Sequence, residues 1–235
     1  HGYLRMDSGE IDHNGYGFWF DVGHGSSGYG VYEQNGGAWK ANSRPACTKN
    51  IGSHGSSVIR GGTFNVPGGY IIGRVLWGGV TAQGGEGRVT IDGTAEVTIG
   101  SQFQIGGVSN SVSMLNLNGG TLTCSRIQAI TNNCICLGGA ANWPAPFGLD
   151  TAQRYLYFNG GTLKTCSANN NKIIVSPEMS RVTVGPGGAL FDTDGRDYSL
   201  PAKLEKPSGK GVARISFSCS EPWKYAGSPF VKIEG

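Results

Sequence analysis

Two stretches of the chain combine aromatic and acidic side chains in a way that favours sugar binding. One runs over residues 139–153 and the other over residues 74–88. Loops that project from a repetitive scaffold commonly hold binding groups, and an exposed indole offers a flat apolar face to a sugar ring. The alternative is that Trp143 and Phe147 fold back and seal the side of the molecule. The candidate glycan-binding residues are Trp143, Phe147, Asp150, Trp77 and Glu86.

Three carboxylates around a glycine form a partial calcium-binding pattern. Asp192, Asp194 and Asp197 stand at positions one, three and six of the segment 192–197. Calcium prefers carboxylate oxygens, but this segment lacks the distal bidentate Glu and the full oxygen count of a calcium loop. Ordinary turn chemistry explains the segment at least as well. Calcium is thus the one ion considered, and no other cofactor is predicted.

A third group, His13, Asp21 and His24, mixes acid and base character near the N-terminus. No nucleophile, metal-ligand spacing or pair of acids accompanies these residues, so capped or solvated side chains are the simpler interpretation. No catalytic residue is therefore predicted.

The six cysteines are too irregularly spaced for a zinc framework. Cys124 and Cys166 nevertheless follow two equivalent turns, four and five residues after Gly120 and Gly161. On adjacent coils they could be close enough for a disulfide, or they could fill the core as small apolar residues. Both interpretations stay open.

These groups are positioned by a repeat. A short apolar stretch runs into a turn of Asn or Asp, Gly and a second small residue, and then resumes, as in 115–122 and 156–163. The equivalent turn positions are separated by 28, 25, 32, 26, 41 and 27 residues. Such periods are typical of solenoids, propellers or arrays. The equivalent positions are Ser8, Gly36, Gly61, Gly93, Gly119, Gly160 and Gly187.

A second recurring pattern is an apolar residue, any residue, an apolar residue and Gly, at 20–23, 70–73, 103–106 and 135–138. Each unit then contains about three short strands, and like segments recur once per unit, which favours parallel stacking. Most units are too short for the four-stranded blade of a propeller. The sequence predicts an all-β, right-handed parallel β-helix of about seven coils, since crossovers between parallel strands are nearly always right-handed.

Composition agrees with this architecture. Glycine supplies 41 of 235 residues without the strict period of collagen, and no linker divides the chain. The pattern changes near Gly195, so residues 1–195 are predicted to form the repeat and 196–235 an irregular β cap, or the start of a following unit, within the same domain.

The charged residues are scattered and give a formal net charge of only +3, which argues against nucleic-acid binding. No apolar run is long enough to span a membrane. The chain begins and ends within the pattern, which suggests a mature or cut piece of a longer protein.

The segments 103–106 and 119–122 resemble the Gly-Gly-Thr-Leu repeat regions of bacterial autotransporter passengers and of related large bacterial surface proteins. The segment 187–195 is similar to a recurring piece of the same repeats. The resemblance covers most of residues 55–200, and the six cysteines and the insertion at 143–147 depart from it. It implies a right-handed β-helix that is extracellular or displayed on a bacterial cell surface.

The expected function is that of a non-catalytic stalk or adhesin, with glycans or a neighbouring cell surface as partners and inserted loops as the binding sites. Because an open β-helix end presents unpaired strand edges, end-to-end self-association is also expected. The alternative is a carbohydrate-active β-helix enzyme, a polysaccharide lyase or a glycoside hydrolase. Such an enzyme needs clustered charges, whereas Asn116, Thr90, Thr98 and Gln104 predict a polar, uncharged outward face.

Overall fold

The computed structural model describes residues 1–13, 20–25, 27–41, 46–47, 52–67, 70–72, 85–106, 111–129, 152–166, 173–206, 213–218 and 231–234. All regular elements in these ranges are β-strands. The ranges contain no helix, and hence none with the length and apolarity needed to cross a membrane.

The strands, numbered in chain order, stack into three sheets. The first sheet contains, in spatial order, β1 (Gly2–Met6), β4 (Tyr29–Gln34), β7 (His54–Ile59), β10 (Glu86–Ile91), β13 (Val112–Leu117), β16 (Gln153–Phe158), β18 (Arg181–Val184) and β20 (Leu204–Glu205). The second contains β2 (Glu10–His13), β5 (Ala38–Ala41), β8 (Thr63–Val66), β11 (Glu96–Ile99), β14 (Thr121–Cys124), β17 (Thr162–Thr165), β19 (Ala189–Asp192), β21 (Ala213–Ser218) and β22 (Val231–Glu234). The third contains β3 (Asp21–Val22), β6 (Ala46–Cys47), β9 (Tyr70–Ile72), β12 (Gln102–Ile105) and β15 (Arg126–Ala129).

Neighbouring strands within each sheet come from successive coils and pair in parallel. In the first sheet, for example, Leu115 of β13 is in register with Val89 of β10 and Leu156 of β16. The chain is therefore a β-solenoid, and the predicted fold class is confirmed. The coil count differs from the predicted seven, since the first sheet holds eight described strands and the second nine. The described strands within 196–235 continue the first and second sheets, because β20 pairs with β18 and β21 with β19.

Alternation along each strand builds the core. In β16, Leu156 and Phe158 are buried, whereas Tyr155 and Tyr157, which alternate with them, are partly exposed. Because like residues stack on like in register, each inward column becomes a continuous apolar row along the solenoid. The largest fully buried side chains are Tyr32, Phe64, Phe103, Phe158, Phe191, Ile59, Ile91, Ile99, Ile105, Leu115 and Leu117.

The Asn-Gly-Gly turns lie at the corner between the first and second sheets, as the strand order requires. In most coils the residue with positive φ is the second small residue, for example Gly120 at 61°, and Gly119 is absent from the positive-φ set. A side chain at Gly120 would also meet the carbonyl oxygen of Ala95 at 2.5 Å. Gly119 is needed for a different reason, since a Cβ there would lie 2.8 Å from the backbone nitrogen of Gly93 in the preceding coil. Gly93 and Gly160 are the exceptions, since each has positive φ, 58° and 103° respectively, at the position equivalent to Gly119.

The second recurring pattern forms the third sheet where the structure describes it. Segments 20–23, 70–73 and 103–106 contain β3, β9 and β12. The fourth copy, 135–138, lies outside the described residues. In that coil β15 at Arg126–Ala129 pairs with β12 and takes the third-sheet position.

An aromatic cluster fills the coils nearest the N-terminus. Trp39 packs against Phe20, with ring centroids 4.4 Å apart, and also contacts Tyr32 and Phe64. Gln34 is fully buried beside these rings, where it accepts a hydrogen bond from the Tyr32 hydroxyl at 2.8 Å and donates one to the Thr63 carbonyl at 3.0 Å. The buried amide is thus tolerated because both of its ends are bonded.

The first coil is open within the described structure. Leu4 is 41% exposed, although its register partner Tyr32 in the next coil is 1% exposed. Strands β1 and β2 each have one described neighbour, β4 and β5 respectively. End-to-end association through this open coil stays a prediction.

Candidate ligand-binding face

The outer side of the first sheet collects aromatic and charged side chains. Alternation places these residues opposite the buried columns, and parallel pairing brings them side by side from coil to coil. We call this surface the first-sheet face and define it by Tyr3, Tyr29, His54, Glu86, Arg88, Tyr155, Tyr157 and Arg181.

One column of the face consists of two rings followed by an acid. Tyr29, His54 and Glu86 are in register on β4, β7 and β10. The Tyr29 and His54 rings stack with centroids 5.6 Å apart and an interplanar angle of 28°. Nδ1 of His54 lies 3.5 Å from Oε2 of Glu86, and both side chains are about half exposed. The column therefore presents an accessible ring platform beside an accessible acid–base pair.

Tyr3 extends the ring platform toward the first coil. Its hydroxyl donates a hydrogen bond to Oε2 of Glu33 at 2.8 Å, while the residue remains 62% exposed. This hydrogen bond to a carboxylate raises the pKa of the Tyr3 phenol. The hydroxyl is thus anchored and the ring stays open to solvent.

A second ring group lies on β16. The Tyr155 hydroxyl donates to Oε1 of Gln153 at 2.8 Å, and the Tyr157 hydroxyl lies over Gly185, where any side chain would overlap it. Since β4 and β16 are four strands apart in the sheet, the two ring groups are separated by about 19 Å. The side chains between them are mixed, since Asn116 donates to Oγ1 of Thr90 at 3.1 Å, whereas Val112 and Met114 of β13 also face outward.

The expectation of an uncharged outward face is wrong for the first sheet. Thr90 and Asn116 do face outward there, but Glu86, Arg88 and Arg181 share the same surface. The charged residues become neighbours of Thr90 and Asn116 only through the register between strands, which the sequence does not show. Gln104, predicted to face outward, is only 6% exposed.

Of the predicted glycan-binding residues, Glu86 lies on the first-sheet face beside His54. Trp77, Trp143, Phe147 and Asp150 lie outside the described residues. The segments that carry them lead along the chain directly into β10 and β16 of the first sheet. Their part in binding stays a prediction.

The three candidate calcium ligands are arranged as a turn. The backbone N–H of Asp194 donates to Oδ1 of Asp192 at 2.9 Å, and Asp194 itself has a φ of 53°. Oδ2 of Asp192 is 3.2 Å from Nζ of Lys164, and Oδ2 of Asp194 is 3.1 Å from Arg196. In the part of the chain that the structure describes, which includes Asp197, no three His, Cys, Asp or Glu side chains are grouped to hold a metal ion. Lys164 and Arg196 thus pair with two of the three carboxylates, and the calcium site stays a prediction.

Cys124 and Cys166 are near neighbours on adjacent coils but are free thiols in this structure. The backbone N–H of Cys166 donates to the Cys124 carbonyl at 3.1 Å, and the register partner of Cys124 is Thr165. Cys124 is fully buried, and burial raises the pKa of its thiol. The disulfide stays a prediction.

The N-terminal group of acid and base residues is only partly brought together. Nδ1 of His24 lies 3.2 Å from Oδ2 of Asp21. His13 stands on a different strand, and its Nδ1 is buried with no hydrogen-bond partner among the described residues. These contacts describe local pairing and suggest no reaction.

Sequence reasoning did not find the tyrosines of the first-sheet face. The signal was available in the repeat, because Leu156 and Phe158 align with the inward residues Leu115 and Leu117, which leaves Tyr155 and Tyr157 outward. Strand alternation alone could have identified β16 in this way. The stacking of Tyr29 on His54 required the register between coils.

Comparison with known proteins adds no relative to this description. No protein-family model matches the chain, and no curated protein and no solved structure matches it significantly. The protein is thus characterised by its architecture, a parallel β-solenoid with an aromatic and charged face on its first sheet.

Proposed function

We propose that this protein is an extracellular or cell-surface β-solenoid that binds an extended polysaccharide across its first-sheet face. The observation that carries the proposal is the presence of two groups of partly exposed tyrosine rings on one sheet, about 19 Å apart with polar, charged and apolar side chains between them. The inserted segments with Trp77 and Trp143 would add to this surface. The surface location rests on the resemblance to bacterial surface repeats.

The chemistry of the face suits a sugar polymer. Tyrosine rings provide flat apolar area at a low cost in side-chain entropy. The hydroxyls of Tyr3 and Tyr155 already donate to Glu33 and Gln153, so toward a sugar they can act as acceptors. Between the rings, Thr90, Asn116, Glu86 and Arg88 supply donors and acceptors for sugar hydroxyls. Because these side chains stand on strands that are paired on both sides, little ordering is needed on binding.

The test is affinity electrophoresis and pull-down of the protein against a panel of neutral and acidic polysaccharides. Tyr29→Ala and Tyr155→Ala should each lower affinity by about three- to tenfold, since ring contacts of this kind contribute about 0.5–1.5 kcal/mol. Thr98→Ala and Thr121→Ala on the second sheet are the matched controls and should leave affinity unchanged. Absence of binding to every polysaccharide, or equal losses in the control variants, would refute the proposal.

One observation favours a second candidate, a carbohydrate-active enzyme. Glu86 and His54 form an accessible acid–base pair at 3.5 Å. General acid–base groups at such a distance can move a proton at a substrate. If the protein shortens a polysaccharide, as seen by newly formed reducing ends, and Glu86→Gln abolishes that activity without loss of binding, catalysis replaces scaffold binding as the function.

A further inference from the structure

Three turns at the corner between the first and second sheets contain the pair Asn-Gly within the described residues. They are Asn35-Gly36, Asn118-Gly119 and Asn159-Gly160. In such a pair the glycine backbone nitrogen can attack the carbon of the Asn side-chain amide. A C–N bond forms, ammonia leaves, and water then opens the succinimide ring to aspartate or isoaspartate. Glycine favours this chemistry because no Cβ hinders the approach.

The structure restrains two of these amides. Nδ2 of Asn35 donates to Oδ1 of Asp7 at 2.7 Å, and its Oδ1 accepts a hydrogen bond from Arg60 at 3.2 Å. Oδ1 of Asn159 accepts the backbone N–H of Gly187 at 2.8 Å. The attacking nitrogen of the third turn is also engaged, since the N–H of Gly160 donates to the Gly188 carbonyl at 2.8 Å.

Asn118 differs from both. Its Oδ1 has no hydrogen-bond partner among the described residues, although that atom is buried. Among the described residues, the N–H of Gly119 makes a single hydrogen bond, a long one of 3.4 Å to the carbonyl of Ile91. A bond of that length is near the limit of a hydrogen bond and holds the nitrogen weakly. We propose that Asn118-Gly119 is the deamidation site of this protein, a covalent modification that converts Asn118 to aspartate or isoaspartate with water as the co-reactant.

The aspartate or isoaspartate formed at Asn118 destabilises the stacked coils because Asp92 lies beside it. Ile91 and Leu117 are in register at the ends of β10 and β13, so Asp92 and Asn118, which directly follow them, occupy adjacent positions at the corner. Deamidation therefore places a second carboxylate beside Asp92, and like charges at adjacent positions repel each other. Isoaspartate also lengthens the backbone at a turn that sets the register of the two coils. Modification at Asn118 weakens the solenoid at this corner.

Peptide mapping by mass spectrometry, after incubation of the folded protein in mildly alkaline buffer, tests the site. Asn118 should convert about tenfold faster than Asn35 and Asn159, because one or two hydrogen bonds must break before the other amides can react. In denaturant the three sites should react at similar rates. Conversion of Asn35 or Asn159 as fast as Asn118 in the folded protein would overturn the proposal.

A second measurement tests the physical cause. The double variant Asp7→Ala and Arg60→Ala removes the partners of Asn35, so conversion at Asn35 should rise toward the rate at Asn118, while Asn118 itself is unchanged. An unchanged rate at Asn35 contradicts the assignment of its two hydrogen bonds as the restraint on deamidation.

Thermal melting tests the effect of the modification on stability. Asn118→Asp, which introduces the carboxylate, should have a lower melting temperature than Asn118→Ser, and adding Asp92→Asn to both should remove that difference. Equal melting of the two variants would refute the proposed effect on the stack.

Discussion

The outer faces of the first and second sheets are built on the same coils and differ in chemistry. The first-sheet face presents tyrosines, a histidine and charged side chains. The second-sheet face, defined here by the outward residues Glu10, Lys40, Thr63, Glu96, Thr98, Thr121, Thr123, Thr162, Lys164 and Asp192, presents threonine hydroxyls and charged side chains without an aromatic ring. Both faces have the same pleat and the same spacing between strands. The difference thus comes from the outward residue types alone, which shows that the scaffold leaves its surface chemistry open.

Energetically, the two faces share one core and one row of corner turns. Inward residues from both sheets meet in a single cluster, for example Phe158 of β16 and Phe191 of β19, whose ring centroids are 5.2 Å apart. The outward residues contribute little to this cluster. Substitutions of outward residues on either face should therefore change ligand affinity more than the free energy of unfolding. Substitutions of inward residues should change the free energy of unfolding more than ligand affinity.

The largest expected effect is a difference in stability between variants at inward and outward positions of β16. Phe158→Ala should lower the free energy of unfolding by about 3–5 kcal/mol, because a fully buried ring leaves a cavity. Tyr155→Ala on the same strand should cost less than about 1 kcal/mol, since its ring lies on the surface. Urea denaturation of both variants provides the comparison. A large loss in Tyr155→Ala would mean that the first-sheet face is part of the core.

The next effect is at the corner that joins the two faces. Gly120→Val should destabilise by more than about 2 kcal/mol, because a branched residue is strained at a φ of 61° and its Cβ would meet the Ala95 carbonyl. Thr123→Val on the second-sheet face is the control and should change stability by less than about 0.5 kcal/mol. Thermal melting distinguishes the two. A tolerated Gly120→Val would contradict the structure of the turn.

A chemical probe examines the core behind the second-sheet face. Cys124 should resist alkylation in the folded protein and react only on unfolding, because it is fully buried and burial raises the pKa of its thiol. Cys166 is half-buried and should react first. Mass spectrometry of the alkylated peptides reports both rates. If neither thiol reacts in the unfolded protein until a reductant is added, the predicted disulfide is present.

The smallest effect is a pH dependence at the corner near the first coil. Hydrogen bonds from Asn35 and Arg5 lower the pKa of the Asp7 carboxyl. A lowered pKa in the folded state contributes stability above about pH 4, and that contribution is lost as pH falls through the folded value. Asp7→Asn should therefore reduce the fall in melting temperature on acidification. In an Asn35→Ala background the pKa of Asp7 is lowered less, so Asp7→Asn should change the acid sensitivity of melting by less than it does in the unmodified protein. Identical effects of Asp7→Asn in both backgrounds would contradict the hydrogen bond between Asn35 and Asp7.

Much of the fold could be read from the repeat. The turn positions Ser8, Gly36, Gly61, Gly93, Gly119 and Gly160 do lie at one corner, because equal spacing and parallel stacking leave few other arrangements. The roles of individual glycines could not be read in the same way. Whether Gly119 or Gly120 takes positive φ depends on contacts with the preceding coil, and those contacts are set only when the coils are in register.

The candidate site, too, could be predicted only in part from the sequence. Glu86 could be selected by its type and by its place near an insertion, but its partner His54 comes from the preceding coil of the first sheet. Similarly, Oδ2 of Asp192 lies 3.2 Å from Nζ of Lys164, which comes from the preceding coil of the second sheet. Local sequence cannot show a partner that arrives from another coil.

The sequence by itself determined that this chain forms stacked coils, because the period of turns and the alternation of apolar residues are local properties. The tertiary structure decided which side chains become neighbours across coils, such as the stacked rings of Tyr29 and His54, and which atoms are left without a partner among the described residues, such as Oδ1 of Asn118. The physical reason is register, since a slip of one residue between strands reverses every side chain between the core and the surface.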